Sequence, residues 1–229
     1  MTRPGPAADL GRPAAEFDTV ILAGGGATRM AGADKPALLI GGTPMVVSVA
    51  QAAAAAGTAQ IIVVGPQRPG AVRTGLDTVA AGLPGRLTCV REEPPGQGPV
   101  AGLRRGLLEV TAPWVALLAA DLPLLTGADL RALLAEGLSS GRPGTVITDD
   151  GDRPQWLVGC WRVSSLRLAL AGYDGGSLHG LLTPLQPALV PEARLAAADG
   201  AVAWLDCDTL EDLAAARRAW QARADDTPG

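Results

Sequence analysis

Lys35 is the residue whose type and position most suggest chemistry. It is the one lysine among 19 Lys and Arg residues in a chain of 229. Lysine and arginine are nearly equivalent on a solvated surface, but a tight phosphate site distinguishes a compact ammonium from a planar guanidinium. Lys35 follows the glycine run Gly24–Gly26 and Arg29, and glycines let backbone N–H groups approach a phosphate closely. The segment predicts a loop whose two cations, Arg29 and Lys35, face a polyphosphate.

Two well-known glycine loops do not describe this segment. A dinucleotide-binding fingerprint starting at Gly24 requires glycine at position 29, where the sequence has Arg29. A P-loop requires Gly-Lys followed by Ser or Thr, whereas Lys35 stands between Asp34 and Pro36. What remains is a glycine turn followed by two cations able to face a polyphosphate, and the alternative is a glycine turn with solvated charges.

Carboxylates follow two other strand-like segments. Asp121 comes just after the apolar run 114–119, and a carboxylate there is costly unless it meets water, a cation or a helix N-terminus. Opposite a phosphate loop its natural partner is Mg²⁺. Asp206 and Asp208 follow the predicted strand 201–205 and lie on the same side of it. We interpret Asp206 as a second metal ligand and Asp208 as the cap of the next helix, with the reverse assignment left open.

Two further segments could contact a nucleoside. Glu92 and Glu93 follow the predicted third strand, where a carboxylate can accept hydrogen bonds from a base or a ribose. Residues 97–103 open a predicted helix with small residues, which would let a flat group approach its N-terminus.

Hydrophobic runs alternate with helical patterns along most of the chain. This alternation predicts an α/β domain with a single doubly wound, mostly parallel sheet and helices on both faces. In such a sheet, ligands bind beyond the carboxyl ends of the strands. Strands are predicted at 19–22, 61–64, 87–90, 114–119, 144–148, 155–161 and 201–205. Helices are predicted at 44–57, 99–110, 126–138, 164–171, 177–183 and 209–222.

We expect one folded domain over residues 17–222. Residues 1–16, rich in Pro, Ala and Gly, and residues 223–229 are predicted to be disordered tails. The N-terminal residues lack an apolar core of the secretory type, so no signal peptide is expected.

Composition excludes several functional classes. The formal net charge of −4 argues against a nucleic-acid partner, and the absence of a long apolar run argues against a membrane span. Three widely spaced cysteines indicate unpaired thiols and a cytoplasmic location. His179 is the sole histidine, which excludes a two-histidine metal site and argues against a Ser-His-Asp hydrolase.

Several of these segments together resemble the family of molybdenum cofactor guanylyltransferases, which are MobA-like nucleotidyltransferases. The resemblance covers residues 17 to about 220. Departures are Ala31, Leu210 and Trp156, together with a segment 177–180 that lacks the paired arginines of some relatives. The segments that carry the resemblance are Leu22-Ala23-Gly24-Gly25 with Arg29 and Asp34-Lys35, then Gly98-Pro99-Val100-Ala101-Gly102, Asp121-Leu122-Pro123, Gln155 to Arg162, and Asp206 to Leu213.

The resemblance implies a Mg²⁺-dependent enzyme that transfers GMP from GTP to molybdenum-bound molybdopterin and releases pyrophosphate. It implies catalytic roles for Lys35 and Arg29, and metal binding by Asp121 and Asp206. It also implies transient contact with a molybdenum-inserting protein or a target molybdoenzyme. The nucleotide-binding residues that it implies are Leu22, Ala23, Gly24, Gly25, Lys35, Glu93, Gly98 and Asp121.

Two alternatives stay open from the sequence. One is a cytidylyltransferase acting on molybdopterin or on a sugar-alcohol phosphate, which a different base pocket would distinguish. The other is a non-catalytic nucleotide-binding regulator, against which Lys35 and Asp121 argue.

Overall fold

The computed structural model describes residues 16–24, 34–195, 204 and 206–225. The predicted loop residues Gly25 and Arg29, the N-terminal tail up to residue 15 and nearly all of the predicted strand 201–205 lie outside these ranges. Within the described residues, no helix combines the length and apolar character needed to cross a membrane. The three cysteines are unpaired thiols, as predicted.

Seven strands form one sheet, in the order β5-β4-β1-β6-β8-β7-β9. The first four in that order are mutually parallel, β8 is antiparallel to both of its neighbours, and β7 pairs in parallel with β9. The short strands β2 and β3 form a separate antiparallel hairpin. The strands are β1 (Phe17–Leu22), β2 (Leu39–Ile40), β3 (Thr43–Pro44), β4 (Ile61–Val64), β5 (Leu87–Val90), β6 (Trp114–Ala119), β7 (Gly144–Thr148), β8 (Pro154–Arg162) and β9 (Ala188–Pro191).

Helices cover both faces of the sheet, which confirms the predicted doubly wound architecture. One core layer joins α1, α2 and α4 to the sheet, and the other joins α3, α5 and α6. Strands β1, β4 and β6 are apolar almost throughout because both of their faces are buried. The helices are α1 (Met45–Ala56), α2 (Ala71–Ala81), α3 (Pro99–Leu107), α4 (Gly127–Ser140), α5 (Val163–Ala171), α6 (Leu178–Leu182), α7 (Glu192–Leu195) and α8 (Leu210–Asp225).

Local chemistry sets the helix ends close to their predicted places. Helix α1 ends at Gly57, whose φ of 90° is the left-handed conformation that favours glycine. Thr126 caps α4, and its hydroxyl and the Asp129 carboxylate form a capping box. Helix α8 continues to Asp225, three residues into the segment predicted as a tail.

The sequence patterns missed four elements: α2, the β2–β3 hairpin, β9 and α7. Helix α2 has three buried side chains and a glycine in its middle, Gly75. A Cβ at Gly75 would lie 2.8 Å from the side chain of Val47 in α1, so glycine serves close helix packing there. A glycine inside a weak apolar pattern lowers any helix prediction, although tertiary packing stabilises the helix.

Helix α3 lies close to the sheet through two glycines one turn apart. A Cβ at Gly106 would lie 2.9 Å from Cγ1 of Val20 and 3.0 Å from Cγ2 of Val64. At Gly102 the nearest atom is Cδ2 of Leu22, at 3.4 Å. This close approach brings the N-terminus of α3 to the carboxyl edge of β1 and β4.

These distances give different expectations for two alanine substitutions. Gly106→Ala should lower the free energy of unfolding by about 1–3 kcal/mol, because the stiff branched side chains of Val20 and Val64 must move. Gly102→Ala should be neutral or slightly stabilising, since alanine has the higher helix propensity. Urea denaturation measures both variants, and equal effects at the two positions would contradict the proposed packing constraint.

Candidate active site

The loop after β1 and the residues after β6 emerge side by side from the sheet. Strands β1 and β6 are parallel neighbours, with Leu22 opposite Ala119. The backbone N–H of Ala23 donates to the carbonyl of Val64 at 2.8 Å, and that of Ala120 donates to the carbonyl of Leu22 at 3.2 Å. The chain therefore leaves both strands at fixed positions on the edge where ligands bind in such sheets.

The Lys35 ammonium lies between two carboxylates. Its Nζ is 2.7 Å from Oδ2 of Asp121 and 2.6 Å from Oδ1 of Asp208. Burial lowers the pKa of Lys35, but the hydrogen bonds and negative charges of the two aspartates more than offset it, so the pKa is raised overall. The two aspartates thus hold the Lys35 ammonium in place, and the structure brings Lys35 and Asp121, two of the predicted site residues, together.

Asp206 belongs to the same acidic group. It lines one cavity together with Asp121 and Asp208. Partial burial raises the pKa of the Asp206 carboxyl, and the charges of Asp208 and Asp121 raise it further. Three carboxylates and one ammonium leave a formal charge of −2, which favours a divalent cation.

The chemistry of these donors fits Mg²⁺. Among the described residues, no group of three or more His, Cys, Asp and Glu side chains is arranged to hold a metal ion by itself. Mg²⁺ requires only one or two protein carboxylates, because phosphate oxygens and waters complete its coordination. Lys35 contacts Asp121 and Asp208, and Asp206 lines the same cavity, so the assignment of Asp121 and Asp206 as the metal ligands stays a prediction.

The prediction that Asp208 caps the last helix is wrong. The cap of α8 is Thr209, whose hydroxyl accepts from the N–H of Asp212 at 3.1 Å. The Asp212 carboxylate accepts in return from the N–H of Thr209 at 2.8 Å, which completes a capping box. Asp208, one residue earlier, directs its carboxylate to Lys35 instead.

A cavity of about 570 Å³ lies beside the glycine loop. Glu92 lines it and Glu93, the predicted contact, does not, since the chain bends at Glu93 and Pro94 after β5. Oε1 of Glu92 accepts from the N–H of Gly96 at 3.1 Å. This cavity, called here the base cavity, is lined by Leu22, Gly24, Val64, Pro66, Arg91, Glu92, Pro95, Gly96, Gly98, Pro99, Gly102 and Leu157.

A second cavity of about 590 Å³, called here the acceptor cavity, adjoins the first, since Pro99 and Leu157 line both. The three aspartates stand at this cavity, and rings line it elsewhere. Trp156 and His179 meet edge to face, with centroids 5.7 Å apart. In the sequence His179 stands far from the glycine loop and Asp121, and only the fold shows that it lines this cavity.

The comparisons with known proteins agree with this architecture. A nucleotidyl transferase from Methanothermobacter superposes with a TM-score of 0.70 at 19% identity, covering 91% of this chain and 99% of that one. At this identity the likeness shows the fold alone, and the class is therefore a Rossmann-like nucleotidyltransferase fold. Residues 19–189 match the MobA-like NTP transferase domain, and the chain belongs to that family.

Two curated relatives refine the comparison. A molybdenum cofactor guanylyltransferase of Cupriavidus taiwanensis is 30% identical over 213 residues, which cover 89% of this chain and 96% of that protein. A probable molybdenum cofactor guanylyltransferase of Natronomonas pharaonis is 38% identical over 107 residues. The latter match spans 46% of this chain and only half the length of that relative.

Proposed function

We propose that the protein transfers GMP from GTP to the phosphate of molybdenum-bound molybdopterin and releases pyrophosphate in a Mg²⁺-dependent reaction. The observation that carries the proposal is the Lys35 ammonium held by Asp121 and Asp208 beside two adjoining cavities. The names of the curated relatives support the choice of substrates.

Lys35 supplies the positive charge at the reacting phosphate. Nucleotidyl transfer requires positioning and charge neutralisation more than proton transfer. Asp121 and Asp208 hold the ammonium in place before the nucleotide arrives, so its reorganisation during the reaction is small. Arg29, on the sequence assignment, would join Lys35 at the triphosphate.

Asp121 and Asp206 would hold Mg²⁺. When bound, this cation neutralises charge on the phosphate oxygens. The attacking phosphate of the acceptor is already ionised, so the reaction needs no general base, and His179 is assigned no proton-transfer role.

The base cavity offers a carboxylate to the purine. Guanine presents two adjacent donors, N1–H and the 2-amino group, and a carboxylate can accept from both. The N–H of Gly96 orients one oxygen of Glu92. Small residues at Gly98 and Gly102 leave room for a flat ring over the N-terminus of α3.

The acceptor cavity offers aromatic surfaces to a planar heterocycle. The rings of Trp156 and His179 line it, and Trp204 contributes a third ring. A pterin could rest on these faces while its phosphate reaches the acidic end. Delivery of such an acceptor implies transient contact with a molybdenum-inserting protein or a target molybdoenzyme.

Cytidylyl transfer is the second candidate, because the carboxylate of Glu92 also accepts from the 4-amino group of cytosine. Calorimetry with GTP, CTP and ATP in the presence of Mg²⁺ compares the bases directly. Release of pyrophosphate on adding molybdenum-bound molybdopterin then tests catalysis. Preference for CTP would favour the second candidate, and binding of GTP without turnover would favour a regulator.

Glu92→Gln should weaken GTP binding by roughly tenfold to a hundredfold, since charge-assisted hydrogen bonds contribute about 1.5–3 kcal/mol. ATP binding should weaken less, because adenine offers the carboxylate one amino group and no adjacent ring N–H. Glu93→Gln is the matched control and should bind GTP as the wild type does. Calorimetry measures all three proteins, and a loss confined to Glu93→Gln would restore the sequence assignment.

Lys35→Arg should lower kcat/KM by about a hundredfold while the fold is kept, because a planar fork cannot reproduce a point charge at a close-packed phosphate. The guanidinium can still pair with Asp121 and Asp208, so Tm should change little. Arg73→Lys, at an exposed pair with Asp77, is the control for exchanging the two cations. Turnover within about twofold of wild type would remove Lys35 from catalysis.

Asp206→Ala should raise the Mg²⁺ concentration for half-maximal rate by at least about tenfold, since one of two protein ligands is lost. Asp208→Ala should leave that concentration nearly unchanged. It should lower the rate at saturating Mg²⁺, because the Lys35 ammonium loses one of the two carboxylates that bind it. Titration of both variants with Mg²⁺ separates these roles. The opposite pattern would make Asp208 the metal ligand.

A further inference from the structure

Arg68 lies in the connection between β4 and α2, and its side chain is only 8% exposed. Its guanidinium donates to both oxygens of Asp34, at distances of 2.7 to 2.9 Å. It also donates to the carbonyl of Ala23 at 2.8 Å and to that of Pro66 at 3.2 Å. One side chain therefore uses its rigid fork of donors on two separate parts of the chain.

The two parts that Arg68 joins flank the glycine-rich segment. Ala23 directly follows β1, and Asp34 directly precedes Lys35. The carbonyl of Asp34 accepts from the N–H of Ala37 at 2.9 Å, so Asp34 also begins the 3₁₀ turn Lys35–Ala37. Fixing Asp34 consequently fixes the backbone from which the Lys35 ammonium extends.

Arg68 lies outside the two cavities that are proposed for the substrates. It lines neither the base cavity nor the acceptor cavity, and faces a third cavity beside Arg73 and Cys89. The Asp34 side chain is half exposed, and a pair screened by water on one side contributes little to stability. The bidentate geometry does fix distance and orientation, which a phosphate site requires.

We propose that Arg68 is a positioning residue for nucleotide binding, which acts by tying Asp34 to Ala23 and so setting the position of Lys35. This inference rests on the proposed nucleotidyl transfer. A guanidinium is required because its planar fork donates to both carboxylate oxygens and to a backbone carbonyl in fixed directions. A lysine ammonium at position 68 is a compact point charge without that geometry.

The test compares Arg68→Lys, Arg68→Ala and Asp34→Asn with the control Arg73→Ala. Nε of Arg73 donates to both oxygens of Asp77, in a pair that is exposed to solvent and far from Lys35 in sequence. Each of the first three variants should raise KM for the nucleoside triphosphate by about tenfold to a hundredfold, because misplacement of about 1 Å has such an effect. KM for the acceptor should not change, and Arg73→Ala should resemble the wild type.

The double variant Arg68→Ala with Asp34→Asn should lose no more than the worse single variant, because the two side chains act as one unit. A purely structural role would lower kcat and Tm and leave the nucleotide KM unchanged, and that pattern would overturn the proposal. So would additive losses in the double variant.

Amide hydrogen exchange gives a readout that needs no activity. The backbone amides of Lys35, Ala37 and Leu38 should exchange faster in Arg68→Ala than in Arg73→Ala, and equal exchange would overturn the proposal whatever the activity of the variants. A wild-type protein that binds no nucleoside triphosphate would instead refute the proposed function. The two failures are therefore distinguishable.

Discussion

The contact of one ammonium with two carboxylates is the interaction on which the site depends. Lys35 is the meeting point of three distant parts of the chain: the loop after β1, Asp121 after β6, and Asp208 just before α8. Burial raises the pKa of the Asp206 carboxyl, and repulsion by the charges of Asp208 and Asp121 raises it further. The lysine offsets part of this repulsion, and the remaining negative charge is what a divalent cation would neutralise. On the proposed function, the stability of this charge cluster and its affinity for a metal–nucleotide complex would have one electrostatic origin.

The parallel sheet makes that meeting possible. Parallel neighbours end at the same edge, and the register of Leu22 with Ala119 places the residues beyond β1 and β6 together. Helix α3 completes the edge because Gly106 lets it pack closely on Val20. The base cavity forms between that helix and the ends of β1 and β4. The backbone geometry determines where the site lies, and the charged side chains determine its chemistry.

Much of the fold follows from the sequence, because the central strands are continuous apolar runs and the helix ends carry local signals such as Thr126. The convergence of Lys35 and Asp121 follows from the strand-end rule. The rest depends on the direction in which each side chain points and on which distant residues come into contact. Whether Glu92 or Glu93 lines the cavity depends on how the chain bends after β5. The role of Asp208 depends on Lys35, which lies 173 positions away in the sequence. A local sequence pattern shows neither the direction of such a side chain nor a contact between residues so far apart in the sequence.

The arginine guanidinium groups and the Lys35 ammonium make different kinds of contact, and the difference has a physical basis. Arginines in this fold bind backbone carbonyls at chosen angles: Arg104 donates to the carbonyls of Leu170 and Tyr173, and Arg167 donates to those of Leu107 and Val110. A planar group with five donors suits such fixed, multiple contacts. Lys35 contacts two carboxylates with a small tetrahedral group that has three donors, so one N–H can still point to a phosphate oxygen without reorienting a plane. A rigid fork therefore serves to hold the chain, and in the proposed function a compact ammonium, already held by two carboxylates, serves to meet a phosphate.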